Sequence, residues 1–326
     1  MNKDILLLRR SEIASLLTLP DYIAAMESAF RMHSQNQALA PALMHVDADG
    51  GEFHIKGGGL KLDRPYFALK ANGGFFGNRI NLGLPNIIGL ILLFDGSNGH
   101  PLAVMDSIDI TILRTGATTA VAAKYLARPD LSTVTICGCG YQGRIQLDAL
   151  MNIFPNINQV YAWDHNLKNA DAFAVDMMKK SNAKVTAMVN LEYAASNSDV
   201  IITCTPATEF FLRKEYIRPG TFISAVGSDS PSKQEVDPSL VASSKLVVDI
   251  LEQCACVGEL HHALEANMMS IPEVHGELGD VLTDKIEGSQ SLAVEHGQGS
   301  QRERTAHVHG SHRSSIGQRR PATCRT

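Results

Sequence analysis

Apolar and polar positions along the chain fall into two textures that meet near Pro129. Before it, a short helical pattern over 11–17 leads into a second helix, opened by Pro20 in its first turn and carrying Ile23, Met26 and Phe30 on one face. From 42 to 69 the pattern alternates, as in Phe53-His54-Ile55-Lys56 and Tyr66-Phe67-Ala68-Leu69-Lys70. Gly57-Gly58-Gly59 and Asn72-Gly73-Gly74 punctuate it, so antiparallel strands with turns at the glycines are predicted. A near-continuous apolar strand at 87–94 closes at Asp95-Gly96, and a helix over 111–127 stops at Pro129. After Pro129, strands at 133–137, 160–163, 184–187, 200–204, 221–226 and 245–249 alternate with helical stretches, the rhythm of a doubly wound parallel sheet. The fold class is therefore α/β with a second, α+β domain: 1–113 forms the α+β domain, 114–288 the parallel-sheet domain, and helix 111–127 is the hinge. From about 289 the chain becomes rich in Ser, Gln, Gly, His and Arg, with only Leu292, Val294, Val308 and Ile316 as aliphatics beyond alanine. Neither a strand nor a helix period is visible, and 289–326 reads as a disordered polar tail.

One loop carries chemistry. The β-branched run 134–136 feeds Cys137-Gly138-Cys139-Gly140-Tyr141-Gln142-Gly143, a helical pattern follows, and a second apolar run ends at Trp163-Asp164. This is G-x-G-x-x-G in its strand–loop–helix–strand setting, which makes the parallel sheet Rossmann-type. Gly138 permits the tight turn, Gly140 the approach of backbone to a pyrophosphate, and Gly143 close packing of helix on strand. Free amides at the positive end of the helix dipole hold the phosphates. Asp164, roughly 20 residues on, is placed to accept hydrogen bonds from an adenosine ribose. The alternative is a glycine-rich turn in a purely structural βαβ unit. A carboxylate at 164 repels a 2′-phosphate, which favours NAD over NADP, with His165 and Lys168 as nearby cations that soften the preference.

With 326 residues, 44% of them hydrophobic, the chain is long enough for two domains and a large core. Its net charge of −5 gives no reason to expect nucleic acid. Residues 5–8 are too short for a signal peptide, and no apolar run approaches the roughly 20 residues of a membrane helix, so a cytoplasmic protein without membrane contact is expected. The cysteines at 137, 139, 204, 254, 256 and 324 form no C-x-x-C pair, and a reducing setting argues against disulfides. Cys254-x-Cys256 with His261-His262 matches no common zinc spacing; that segment reads as a helix with small buried thiols, and no metal is expected.

Four polar positions stand out against apolar or glycine-rich surroundings. Lys70 ends a predicted strand, Arg114 lies in a helix of small and apolar residues, Asp229 follows Val226-Gly227-Ser228, and Lys56 sits between Ile55 and Gly57. Lysine as a point charge and arginine as a bidentate fork suit a substrate carboxylate, and equally suit interdomain salt bridges. Asp229 is suited to take a proton from a substrate amine, or to cap a local turn. Asp106 and Asp109 read as caps of the hinge helix.

Taken in order, Lys70, Asn78, Gly83-Leu84-Pro85, the run from Pro101 to Asp106, Leu113-Arg114-Thr115, Gly138-x-Gly140-x-Gln142 and Gly227-x-Asp229-x-Pro231-x-Lys233 resemble the ornithine cyclodeaminase/μ-crystallin family over about 1–291. The resemblance implies a substrate and dimerisation domain joined to a Rossmann domain, NAD as cofactor, a small amino or imino acid substrate and a homodimer. It places Lys70 and Arg114 at the substrate carboxylate and the cofactor, with Asn78 at the substrate, and makes Asp229 the acid/base, with Lys70 beside it in catalysis. It sets Asn86, Thr115, Tyr141, Gln142, Asp164, Thr205, Val226 and Lys233 around the nucleotide.

Two departures bear on activity. The family has Pro-x-Arg where this chain has Pro41-Ala42-Leu43, so one carboxylate anchor is missing, with Lys56 as its possible substitute. Family members continue past the position of Gly288-Ser289-Gln290-Ser291 into a strand and a final helix, here replaced by the polar tail; the expectation is a reading-frame change or truncation near 290. The expected function is an NAD-dependent conversion of an α-amino or imino acid: ornithine cyclodeamination to proline and ammonia, or alternatively ketimine reduction or alanine dehydrogenation. The departures also leave open a nucleotide-binding protein without turnover.

Overall fold

The structure, a computed structural model, describes residues 4–75, 77–288 and 306–309. It forms two compact units that divide between Arg114 and Thr115.

In the first unit, β1 (Leu6–Leu8), α1 (Arg10–Leu16) and α2 (Leu19–Ser34) lead into β2 (Ala38–Ala48), β3 (Gly51–Lys61), β4 (Pro65–Gly74), the one-turn α3 (Asn78–Asn81), β5 (Ile87–Asp95) and β6 (Pro101–Asp106). Strands β2 to β6 pair antiparallel in chain order, and β1 closes the sheet parallel to β6. Helix α2 begins as its sequence dictates: Pro20 occupies the first turn, where no amide hydrogen is needed, and Asp21 reaches back to accept from the Thr18 N–H at 2.8 Å.

These glycine runs are not where the chain turns. Gly57, Gly58 and Gly59 lie inside β3, and Asn72-Gly73-Gly74 inside β4; the reversals fall at Gly50 (φ 79°), at 62–64, in the 75–86 connection and at Gly99 (φ 76°) instead. The reason is packing. A Cβ on Gly57 would meet Phe67 Cζ at 2.9 Å, and one on Gly59 would meet Leu39 Cδ1 at 2.7 Å. Lys70 is therefore mid-strand rather than at a strand end. Its Cα partner on β3 is Lys56, so these two side chains share one face of the sheet.

Helix α4 (Ile108–Leu126) follows. Asp106 Oδ1 accepts from the Ile108 N–H at 2.9 Å and so caps it, whereas Asp109, expected to cap as well, forms an ion pair with Arg10 at 2.6 Å. Ser107 donates to buried Asn72 Oδ1 at 2.6 Å, tying the helix start to β4.

The second unit alternates β7 (Thr133–Cys137), α5 (Tyr141–Ile153), β8 (Gln159–Trp163), α6 (Leu167–Lys180), β9 (Lys184–Met188), α7 (Leu191–Ser196), β10 (Val200–Thr203), β11 (Phe222–Ala225), α8 (Pro238–Ser243), β12 (Lys245–Val248), α9 (Leu251–Cys254), α10 (Glu259–Glu265), β13 (Gly276–Glu277) and α11 (Leu278–Leu282). The sheet is parallel throughout, and its order reverses beside β7: β8 and β9 extend one way, β10 and β11 the other. Helices cover both faces, so the strands read as apolar runs; every residue of β10 and β11 is buried. Leu147, Leu150, Phe173 and Met177 are fully buried, as are Leu212, Ile223, Leu246 and Leu260. Each such side chain contributes about 1.5–3 kcal/mol by leaving water. The 254–262 segment is two short helices separated by Gly258 (φ 103°), not one, with the buried Cys254 thiol donating to Asp249 at 3.1 Å.

The tail departs from expectation at one place. Ala306–His309 forms a strand, β14, inserted between β11 and β12 and parallel to both. Pairing on both sides satisfies its backbone whatever its side chains are, which is why composition did not reveal it. Residues 289–305 and 310–326, also expected to be disordered, lie outside the described residues. Among the described residues no helix is long and apolar enough to cross a membrane.

Two buried carboxyl groups join the strand ends of this unit. Glu235 Oε2 accepts from Thr203 Oγ1 at 2.7 Å and the Gly227 N–H at 2.8 Å; Oε1 accepts from the Thr205 N–H at 2.6 Å and Thr205 Oγ1 at 2.7 Å. Burial nevertheless pushes this carboxyl above the ordinary glutamate range. Glu259 in turn accepts from the Glu235 N–H at 2.9 Å and the Val236 N–H at 3.3 Å. Burial first, and the charge of Glu235 second, push its carboxyl up to about 8, so Glu259 keeps its proton near neutrality. A group that holds its proton longer folded than unfolded stabilises fully below the ordinary pKa of 4.5, and that stability is lost as pH rises to about 8. Relative to Glu259→Gln, which mimics the protonated acid, the wild-type melting temperature should therefore fall by at least about 4 °C between pH 5 and 8 and level off above. A constant difference across that range would show that Glu259 is ionised in the native protein.

Candidate cofactor and substrate site

The turn between β7 and α5 uses its three glycines differently, as the fingerprint requires. Gly138 has φ +101°, donates its N–H to Trp163 O at 2.9 Å, and lies so close to the next strand end that an added Cβ would meet Cys204 O at 2.7 Å. Gly140 is the N-cap of α5, and nothing lies within 4 Å of where its Cβ would be. Gly143 is buried, and an added Cβ would press on Gly138 O and come to 3.1 Å from Ile136 Cγ2. One glycine therefore sets the turn, one leaves the backbone open, and one lets helix and strand touch. The open side meets the unpaired amides of the first turn of α5, a phosphate-binding arrangement.

Arg144 braces this loop from behind. Its guanidinium donates to the Cys139 and Gly140 carbonyls at 2.6 and 3.0 Å and to Asp176 at 2.7 Å, lying over the Phe173 ring at 5.4 Å. Carbonyls held by Arg144 leave the adjacent amides facing the other way. The Cys139 thiol donates to Trp163 O at 3.4 Å, and burial pushes its pKa to about 12, with Asp164 adding to the shift. It stays a thiol and is no nucleophile.

Asp164 stands at the carboxyl end of β8. Its Oδ2 accepts from the Cys139 N–H at 2.9 Å, and its Oδ1 accepts from the Asn166 N–H at 2.9 Å and from Asn169 Nδ2 at 3.1 Å. A carboxylate has about four acceptor positions, and these donors take three. Asp164 thus holds the glycine loop as well as offering an acceptor. On the other side of the reversal, Thr205 and Val226 follow the ends of β10 and β11; the Thr205 side chain is committed to Glu235, and the Val226 N–H donates to Thr203 O at 2.8 Å. Tyr141 is 58% exposed, and Gln142 Nε2 is buried without a hydrogen-bond partner among the described residues.

After β11 the chain bends at Gly227 to Asp229, whose carboxylate pairs with Lys233 Nζ at 2.6 Å. His262 Nε2 lies 2.8 Å from the Lys233 carbonyl, with its pKa lowered chiefly by burial. The structure therefore gathers Gly138, Gly140, Gly143, Asp164, Thr205 and Val226 at the strand ends beside the sheet's reversal, with Asp229 and Lys233 as a pair following β11.

The remaining candidates belong to the first unit. Lys56 and Lys70 are cross-strand partners. Asn78 donates to the Pro85 carbonyl at 3.3 Å, and Asn86 Oδ1 accepts from the Arg79 N–H at 3.0 Å, so both asparagines organise the 78–86 loop. Arg114 lies in α4 immediately before the division between units and Thr115 immediately after it. Pattern reading missed Glu235, Glu259 and Arg144. Gln234-Glu235-Val236-Asp237 carries no flanking apolar run that would mark burial, whereas Arg144, next to the third glycine, was open to notice.

Residues 3–293 match the model of the ornithine cyclodeaminase/mu-crystallin family. An alanine dehydrogenase of Archaeoglobus fulgidus is 34% identical over 291 residues, 88% of this chain and 86% of that one. The solved structure of an archaeal alanine dehydrogenase dimer with bound NAD superimposes with a TM-score of 0.84 at 31% identity, covering 94% of this chain and 90% of that one. The Thermococcus litoralis Δ1-pyrroline-2-carboxylate reductase, in complex with NADH and L-proline, gives a TM-score of 0.85 at 30% identity over 94% and 92% of the two chains. With the glycine loop at the sheet's reversal and a match over nearly its whole length, the chain belongs to the ornithine cyclodeaminase/mu-crystallin family.

Proposed function

We propose that this protein is an NAD-dependent oxidoreductase that interconverts a small α-amino acid and the corresponding imine, including cyclic ketimines. The observation that carries the reading is the Gly138–Gly143 loop, open at Gly140 and closed at Gly143, with Asp164 at the neighbouring strand end. When bound, the nicotinamide supplies or accepts the hydride. Within the chain, the first turn of α5 binds the diphosphate and Asp164 the ribose. Lys70, Lys56 and Arg114 hold the substrate carboxylate: two cross-strand ammonium groups on one sheet face attract an anion, and Lys56 supplies a charge that Leu43 does not. Asp229 exchanges a proton with the substrate nitrogen, and Lys233 Nζ, 2.6 Å away, orients its carboxylate. The reading is supported by relatives named for alanine dehydrogenation and pyrroline-2-carboxylate reduction, the second solved with NADH and L-proline. The solved alanine dehydrogenase is a dimer, and a homodimer is proposed here too.

Ornithine cyclodeamination is the second reading, and it uses the same Asp229 and Lys233 pair. Asp229 then takes a proton from the δ-amine, which attacks Cα at the imine level as ammonia leaves; the hydride passes to NAD, when bound, before this step and returns after it, so no NAD is consumed.

Three outcomes check these assignments. Purified protein should oxidise NADH in step with consumption of Δ1-pyrroline-2-carboxylate or of pyruvate plus ammonia; proline made from L-ornithine with only catalytic NAD, and no net NADH change, would instead establish the cyclodeaminase. Asp229→Asn should lower turnover by about 100-fold or more while NADH affinity, read by fluorescence titration, stays within about twofold; unchanged turnover would remove Asp229 from the proton transfer. Asp164→Ala should weaken NADH binding by about tenfold and shrink the preference for NADH over NADPH; a wild-type protein that binds both equally defeats the role given to Asp164.

A further inference from the structure

The hairpin of β2 and β3 assembles a set of side chains that the proposed reaction does not use. Gly50, with φ 79°, makes the turn, and the register that follows puts Asp47 opposite Glu52 and His45 opposite His54. Strand side chains alternate between faces, so these four residues occupy two adjacent rows on one face, while Val46 and Phe53 point to the other. The imidazoles meet edge to face with ring centroids 4.8 Å apart. Both turn Nε2 toward Glu52: His54 Nε2 is 2.9 Å from Oε1 and His45 Nε2 is 3.7 Å from Oε2. Asp47 Oδ1 lies 3.0 Å from His45 Nε2. One donor atom from each of His45, Glu52 and His54 falls within 4.8 Å of the others.

We propose that His45, Glu52 and His54 form a binding site for a divalent transition-metal ion, with Asp47 as a fourth ligand. Bonds of about 2.0–2.2 Å from imidazole nitrogen and carboxylate oxygen around a tetrahedral ion place neighbouring donors roughly 3.3 Å apart, so small side-chain rotations suffice. The donor set selects zinc or another late first-row ion. Two imidazoles are poor ligands for calcium or magnesium, which take oxygen. Access is open, since the side chains of His45, Glu52 and His54 are 28%, 25% and 26% exposed and that of Asp47 is 91% exposed. A second group, His261, His262 and Glu265, is a weaker candidate, because His262 Nε2 is already engaged by the Lys233 carbonyl. The sheet face is the one that carries Lys56 and Lys70 one row further along, so the ion lies beside the proposed carboxylate anchors.

The test is calorimetric titration of the metal-free full-length protein with zinc chloride, alongside His45→Ala/His54→Ala and Glu52→Gln. Each variant is first shown by melting temperature and NADH titration to be folded. The wild type should bind one zinc ion per chain at this site, and each variant should bind it at least about tenfold more weakly or not at all. Zinc bound with undiminished affinity by the double histidine variant would assign the ion to other histidines and overturn the proposal. So would the absence of any zinc binding to the wild type at micromolar concentrations.

Discussion

The carboxylate of Glu235 is the point on which the cofactor end of the parallel sheet depends. It accepts four hydrogen bonds from Thr203, Thr205 and Gly227, and so fixes the two strand ends on one side of the sheet's reversal to the chain that runs back beneath them. These donors are short-range and directional, and each would cost about 1–3 kcal/mol if left buried and unpaired. Burying a carboxyl there is itself unfavourable, and the upward shift in its pKa is the sign of that cost. A second, protonated carboxyl, Glu259, completes the arrangement by accepting the two backbone amides at 235 and 236 without adding a second charge. Removing Glu235 would leave four backbone or hydroxyl donors without their acceptor.

On the other side of the reversal the glycine loop is held by a different device. Arg144 gathers its carbonyls and Asp164 takes the Cys139 amide, so the loop is fixed from both directions before any ligand arrives. Preorganisation of this kind lowers the ordering cost of binding a diphosphate. It also gives Asp164 a structural task, holding the Cys139 amide, beside the ribose contact proposed for it.

In the first unit the sheet register is what matters. Once Gly50 turns the chain, pairing of β2, β3 and β4 sets His45 against His54 and Lys56 against Lys70. Like charges directly opposite on a strand pair oppose pairing unless an anion or neighbouring groups offset them. The sheet tolerates this and admits Gly57 and Gly59 where Phe67 and Leu39 need room.

How much was legible in the chain follows from the range of each interaction. The alternation of strands and helices after Pro129, the roles of Gly138, Gly140 and Gly143, and Asp164 at the end of the next strand are local patterns. Backbone geometry within a few residues dictates them, so they were readable without tertiary structure. Lys70 in mid-strand, glycine runs inside β3 and β4 rather than at turns, Asp109 paired with Arg10 instead of capping, and the strand at Ala306–His309 were not readable. Each depends on which distant segment pairs alongside, and composition carries no record of that partner. The same holds for Glu235 and Glu259, whose burial is decided by strands that arrive from elsewhere in the chain. By itself the sequence determined a dinucleotide-type βαβ unit and its glycine chemistry, because local sterics allow few alternatives. The tertiary structure decided which carboxyls are buried and which cationic and histidine side chains face one another, because cross-strand register and burial exist only once remote segments have met.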